Sequence, residues 1–120
     1  MRPLTHPSVE DITVEGILHA LSDPVRVQIL AGIVKAACPQ CCAKYQRLEN
    51  RELPKSTLSQ QFKVLREAGL IRSERKGVEM HNITRYAELE ERFGPLLNAI
   101  LDAYAAQRQL APNRKPAGNF

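Results

Sequence analysis

Lys55-Ser56-Thr57-Leu58-Ser59-Gln60-Gln61-Phe62-Lys63-Val64-Leu65-Arg66-Glu67-Ala68-Gly69-Leu70-Ile71 is the stretch whose reading decides the fold. Leu58, Phe62 and Leu65, spaced by four and then three residues, form an apolar rib, so the segment reads as an amphipathic helix. Away from the rib, the first two turns carry Lys55, Ser56, Thr57, Ser59, Gln60 and Lys63. These side chains can donate to phosphates or pair with base edges. Pro54 precedes the helix, and Gly69 ends it as a C-cap. Two β-type runs follow, Leu70 to Arg75 and Val78 to Thr84, with Lys76-Gly77 between them. That is a hairpin with basic residues near its tip. A helix followed by such a hairpin suits entry into a major groove, with the hairpin lying beside it.

Upstream, Val14, Ile17, Leu18 and Leu21 share one helical face. Ser22-Asp23-Pro24 reads as a break and a restart, a capping residue followed by proline at the first helical position. The second helix runs from Pro24 to Ala37. Val25, Val27, Ile29, Leu30, Ile33 and Val34 make it apolar around much of its circumference, which marks it as the central core helix. Arg26 is its polar exception. From Cys38 to Leu53 the pattern is irregular, with Tyr45 and Leu48 placed in a short helix and residues 49–52 in a solvated turn. Downstream, Tyr86 to Arg92 suggests a short helix and Gly94-Pro95 a break. Leu96, Leu97, Ile100, Leu101 and Tyr104 then line a last amphipathic helix that ends near Gln109. Residues 1–12, with Pro3 and Pro7, read as a flexible leader. Residues 13–109 form the folded domain, and residues 110–120 a disordered tail with little to bury. The fold class is mainly α with a small β-hairpin (α+β).

A chain of 120 residues holds one domain with a modest core. Aromatic residues are only 5% and tryptophan is absent, so Leu, Ile, Val and Ala must supply the packing, and a second copy of the chain is a natural way to bury more. Seventeen Lys and Arg against thirteen Asp and Glu give a net charge of +4, which leans towards a polyanionic partner. No apolar run approaches about 18 residues, and the N-terminus has no apolar signal region. The expectation is a cytoplasmic protein with no membrane partner. Nor is there a glycine-rich phosphate loop, a nucleophile with a histidine base or an evident carboxylate pair, so nothing in the chain points to an enzyme.

Ala20-Leu21-Ser22-Asp23-Pro24-Val25-Arg26-Val27-Gln28-Ile29-Leu30 resembles the opening signature of ArsR-type winged helix-turn-helix regulators (the ArsR/SmtB superfamily). The run from Ser56 to Ile71 is similar to their recognition helix and first wing strand, and the two motifs stand in the expected order. The resemblance covers Val14 to Tyr104. It implies a homodimer through the first and last helices and an effector that relieves repression. The partner it implies is double-stranded DNA with a near-palindromic operator, read by two recognition helices roughly 34–36 Å apart. The DNA-contacting residues expected on this reading are Lys55, Ser56, Thr57, Ser59, Gln60 and Lys63 on the helix, with Arg72, Arg75 and Lys76 on the wing. Gln60 is placed to pair with adenine, and Lys55 and Lys63 to hold phosphates. Gln61, beside the rib, is a weaker candidate. His81 lies on the returning wing strand, and His6 and His19 stand alone.

Departures from the family concern metal binding. Many metal-sensing members carry a Cys-x-Cys motif before the recognition helix, or Asp and His ligands on the last helix. Here the last helix has no histidine or cysteine, and the upstream region reads Cys38-Pro39-Gln40-Cys41-Cys42. With Pro39 starting a helix, Cys38, Cys41 and Cys42 would share one side at i, i+3 and i+4. Three thiols there suit As(III) or Sb(III), or Zn with a fourth ligand. Cys38 and Cys41 could instead close into a redox-sensing disulfide, or all three could be inert packing. These readings stay open at the level of sequence. Function therefore reads as an effector-relieved, sequence-specific DNA-binding repressor. The alternatives are a thiol-based metalloid or redox sensor in which these cysteines control DNA release, and a winged-helix module that binds protein. A thiol oxidoreductase is disfavoured because the βαβ pattern it needs is missing.

Overall fold

The computed structural model describes residues 4–36, 39–48 and 51–110. Among the described residues there are four helices, α1 (Val14–Ala20), α2 (Pro24–Lys35), α3 (Lys55–Glu67) and α4 (Tyr86–Leu110), and two small sheets. Strands β1 (Gln40–Cys41), β5 (Glu79–Thr84) and β4 (Ile71–Lys76) form one sheet in the order β1-β5-β4. Strands β2 (Arg47–Leu48) and β3 (Arg51–Glu52) form the other. Short 3-10 turns occupy Val9–Asp11 and Cys42–Tyr45. The architecture is the α+β winged helix-turn-helix expected from the sequence.

Local chemistry accounts for the helix limits. Thr13 caps α1, its hydroxyl accepting the N–H of Gly16 at 3.0 Å. Asp23 caps α2 through the N–H of Val25 at 2.8 Å, with Pro24 at the first helical position. Val27, Ile29, Leu30 and Ile33 of α2 are buried, so this helix is the core element its sequence describes. Helix α3 buries Leu58, Phe62 and Leu65, the three residues of the rib. It closes in a Schellman motif, with the N–H of Gly69 on the Arg66 carbonyl and that of Leu70 on the Leu65 carbonyl. Gly69 has φ +86, and a side chain there would run into the Ile12 side chain. Both the turn and the close approach demand glycine. Gly77, with φ +64, opens the two-residue loop between β4 and β5, where primed hairpin turns need positive φ.

Within the domain, three expectations change, and a fourth changes ahead of it. The Gly94-Pro95 pair does not break the last helix, because α4 runs unbroken from Tyr86 to Leu110 with Pro95 inside it. Proline in a helix interior costs about 3 kcal/mol. Leu89, Phe93 and Leu97 stay in phase on one buried face across the proline, and Tyr86 donates to Asn98 Oδ1 at 3.1 Å over the same span. Continuous burial offsets the lost backbone bond. The second change is at the cysteines. Gln40 and Cys41 form a strand, pairing with Asn82 and His81 of β5, and Cys42 opens a 3-10 turn. Cys41 and Cys42 therefore do not lie in one α-helix, because β5 offers Cys41 a strand partner that local periodicity does not reveal; Cys38 lies outside the described residues. The third is Leu48, which lies in β2 rather than in a short helix.

Residues 4–12, the described part of the segment 1–12 read from its prolines as a flexible leader, are tied down in the structure. Arg85 donates to the Pro7 carbonyl at 2.7 Å, Arg92 donates to the Val9 carbonyl at 3.0 Å, and Ile12 is buried. At the other end α4 reaches Leu110, and the tail expected over 110–120 otherwise lies outside the described residues. No single helix among the described residues is long and apolar enough to cross a membrane.

Candidate nucleic-acid interface

Helix α3 and the wing formed by β4 and β5 face one another across an open groove. From α3 it is lined by Lys55, Ser56, Ser59, Gln60, Lys63 and Arg66, and from the wing by Arg75, Val78, Glu79 and Met80. The amphipathic pattern of α3 dictates this arrangement. With the rib committed to the core, the face that carries Ser59, Gln60 and Lys63 is left exposed. Four cations (Lys55, Lys63, Arg66 and Arg75) meet one carboxylate (Glu79), which is itself 3.0 Å from His81 Nε2. Lys55, Lys63 and Arg75 make no ion pair among the described residues.

Strand alternation divides the wing's basic residues. Arg75 shares the face of Ile71 and Ser73 and turns into the groove. Arg72 and Lys76 occupy the other face and hold carboxylates, Arg72 that of Glu88 at 3.5 Å and Lys76 that of Glu74 at 2.6 Å. The Lys76 contact holds the Glu74 carboxyl below its usual range and raises the Lys76 ammonium in turn. On α3, Thr57 is half-buried and does not line the groove. Of the nine expected contact residues, the structure thus brings Lys55, Ser56, Ser59, Gln60, Lys63 and Arg75 to one groove, and leaves Thr57, Arg72 and Lys76 off it.

Buried polar contacts fix the groove's walls. Arg26 Nε donates to the Ala20 carbonyl at 2.6 Å, and its NH1 donates to Gln61 Oε1 at 2.7 Å. This guanidinium joins the end of α1 to the flank of α3, which explains why Gln61 is not turned to the groove. Arg66 NH1 lies 3.4 Å from the Ser73 hydroxyl, which donates to Asn82 Oδ1 at 2.7 Å inside the sheet. That chain ties α3 to the wing. Arg66 escaped the sequence reading, although it falls three residues after Lys63, a spacing that places both on one face. Arg26 and Gln61 stand out in the sequence as polar positions beside apolar faces, but their pairing across 35 residues leaves no local trace.

Behind the wing, buried Arg85 donates from Nε and NH2 to both oxygens of Glu88 at 3.0 Å. These bonds, more than the neighbouring Arg72, hold the Glu88 carboxyl below its ordinary value of 4.5. A depressed carboxyl stabilises the fold above its unfolded value, and that contribution disappears as pH falls through the folded one. Glu88→Gln is therefore expected to flatten the acid limb of a melting-temperature profile below about pH 4.5, where the wild type keeps losing stability. Identical limbs in the two proteins would show the pair to be energetically idle.

Cys41 is half-buried, carries a free thiol and lines the same groove. Among the described residues no three His, Cys, Asp or Glu side chains cluster as a metal site.

No protein-family model and no curated protein matches the chain. Among solved structures, it is similar to an ArsR-like transcriptional regulator from Rhodococcus sp. RHA1. The two are 25% identical, the match covers 85% of this chain and 93% of that one, and the TM-score is 0.53. The likeness is one of overall fold across most of both chains.

Proposed function

We propose, from the premise that the chain carries an ArsR-type winged helix-turn-helix, that it is a sequence-specific, DNA-binding transcriptional repressor released by an effector. The observation that carries this reading is the groove with four cations against one paired carboxylate, beside exposed Ser59 and Gln60. Cations hold phosphates and position the protein, while the hydroxyl and the amide read base edges. The first turn of α3 has no acidic residue and no side-chain cap, so its amides are available to a phosphate as well. Val14 and Leu18 are 46% and 49% exposed on α1, and Leu96, Ile100, Leu101 and Tyr104 are only partly covered on α4. A second copy covering these faces would make the homodimer that a near-palindromic operator requires. Repression is then steric, with promoter access blocked while the dimer is bound in the cytoplasm. An effector relieves it by binding more tightly to a conformation that misaligns the two recognition helices.

The test is fluorescence anisotropy of the fully reduced protein on duplex DNA from upstream of its own gene, over a series of salt concentrations. Affinity is expected to fall linearly on a double-logarithmic plot, and Lys63→Ala to reduce that slope by about one unit. No binding to the duplex, or binding indifferent to salt, would favour a protein-interaction module.

The position of Cys41 favours a second reading, in which the thiols control DNA release. An adduct on a thiol that lines the recognition groove would meet the duplex. Arsenite, or a mild oxidant, added to the same measurement should then abolish binding in the wild type but not in Cys41→Ser. Binding that persists in both proteins would leave the cysteines without a regulatory part.

A further inference from the structure

The segment ahead of α1 is held to the wing by a hydrogen bond between His6 and the backbone of β4. His6 Nε2 accepts the backbone N–H of Ser73 at 3.0 Å. Ser73 belongs to β4, which is the outer strand of its sheet among the described residues, so the imidazole takes a donor on a sheet edge. Arg85 and Arg92 grip the same segment at the carbonyls of Pro7 and Val9. Leu4, two residues before His6, lines the groove between α3 and the wing. The arm is thus strapped down, with its near end inside the recognition groove.

A ring nitrogen accepts a hydrogen bond only when it carries no proton, so this contact requires neutral imidazole with its proton on Nδ1. The charges facing the ring come from three sides, Arg66 on α3, Arg72 on β4, and Arg85 at the start of α4 with Glu88 one turn later. Burial, followed by the three guanidiniums, lowers the His6 pKa from 6.5, and only Glu88 acts the other way. The oxygens of Glu88 are already engaged by Arg85 and Arg72. Ser73 in turn contacts Arg66 and Asn82 through its hydroxyl, so the imidazole adjoins the polar chain that reaches the recognition helix.

We infer that His6 is a proton-operated latch, closed while the ring accepts from Ser73 and opened by protonation, which withdraws the arm and takes Leu4 out of the groove. Protonation turns the acceptor into a second donor facing the Ser73 N–H and sets a fourth positive charge among Arg66, Arg72 and Arg85. Since the folded ring is harder to protonate than the unfolded one, the closed state is fully stabilised above 6.5 and weakens as pH falls through the lowered value. The latch stands on contacts within one chain and does not depend on the DNA-binding reading.

Nuclear magnetic resonance of the full chain, titrated from about pH 7.5 to about pH 5, tests it without DNA. The Ser73 amide protection factor is expected to drop roughly tenfold, the order of one lost hydrogen bond, in step with the His6 ring titration. The Leu4 methyl shifts should move with the same midpoint. His6→Gln supplies an acceptor that does not titrate, and should hold the protection level across the range; His6→Ala should show the low value throughout. Protection that stays constant while the wild-type ring titrates, or that is equal in His6→Ala and the wild type at the upper pH, overturns the latch.

Discussion

Replacing Ser59 and Gln60 together with alanine is expected to weaken operator binding about a hundredfold while leaving the fold intact. Both side chains are exposed on α3 and line the groove, and neither belongs to the rib that anchors the helix. A good side-chain pairing with a base edge is worth about 1–3 kcal/mol of discrimination, so losing two contacts reaches the hundredfold range. Three signatures accompany the loss if the helix reads sequence. Affinity for unrelated duplex changes little, because Lys55 and Lys63 remain in the groove as cations available to phosphates. The salt slope is unchanged, because no charge was removed. The melting temperature also stays near that of the wild type, since exposed substitutions typically cost within about 0.5 kcal/mol. Operator affinity within about twofold of the wild type would remove base reading from this face of α3.

The same face shows which parts of the molecule the sequence made legible. Leu58, Phe62 and Leu65 recur at helical spacing within eight residues, and Gly69 follows where a left-handed cap is needed, so α3 is fixed by local chemistry. The Asp23-Pro24 start of α2 and the hairpin around Gly77 are local in the same sense. Legibility ends where a residue's role depends on a distant partner. Gly94-Pro95 reads as a break because local propensity penalises proline, yet packing of Leu89, Phe93 and Leu97 carries α4 through it. Cys41 reads as helical beside Pro39, yet β5 recruits it into a strand. The basic cluster of the wing reads as one patch. Strand alternation then turns Arg75 inward, and the carboxylates of Glu88 and Glu74 claim Arg72 and Lys76 on the other face. A strand period of two counted from Ile71 separates Arg75 from Arg72 and Lys76 in the sequence itself.

Arg26→Ala is expected to destabilise the protein by about 3 kcal/mol, measured by chemical denaturation at neutral pH. The guanidinium is largely buried, at 12% side-chain exposure, and it serves four groups at once. Its Nε donates to the Ala20 carbonyl and its NH2 to the His19 carbonyl at 3.2 Å, both at the negative end of α1. NH1 reaches Gln61 Oε1 on α3 and stands 3.8 Å from Asp23, the cap of α2. Truncation therefore strips the donor from a partly buried carbonyl and from the Gln61 amide together, and unmade buried bonds cost more than made ones contribute. Arg26→Lys keeps the charge beside Asp23 but not the planar fork, and should recover less than half of the loss. A double-mutant cycle with Gln61→Ala isolates the interhelical part, for which coupling of about 1 kcal/mol is expected. The consequence for recognition follows from geometry. Gln61 neighbours Gln60 on α3, so a helix no longer held at Gln61 presents Ser59 and Gln60 less firmly, and operator affinity should fall even where denaturation shows Arg26→Ala to be fully folded. A loss of stability below about 0.5 kcal/mol, with operator binding unchanged, would mean that this guanidinium neither supports the fold nor positions the recognition helix.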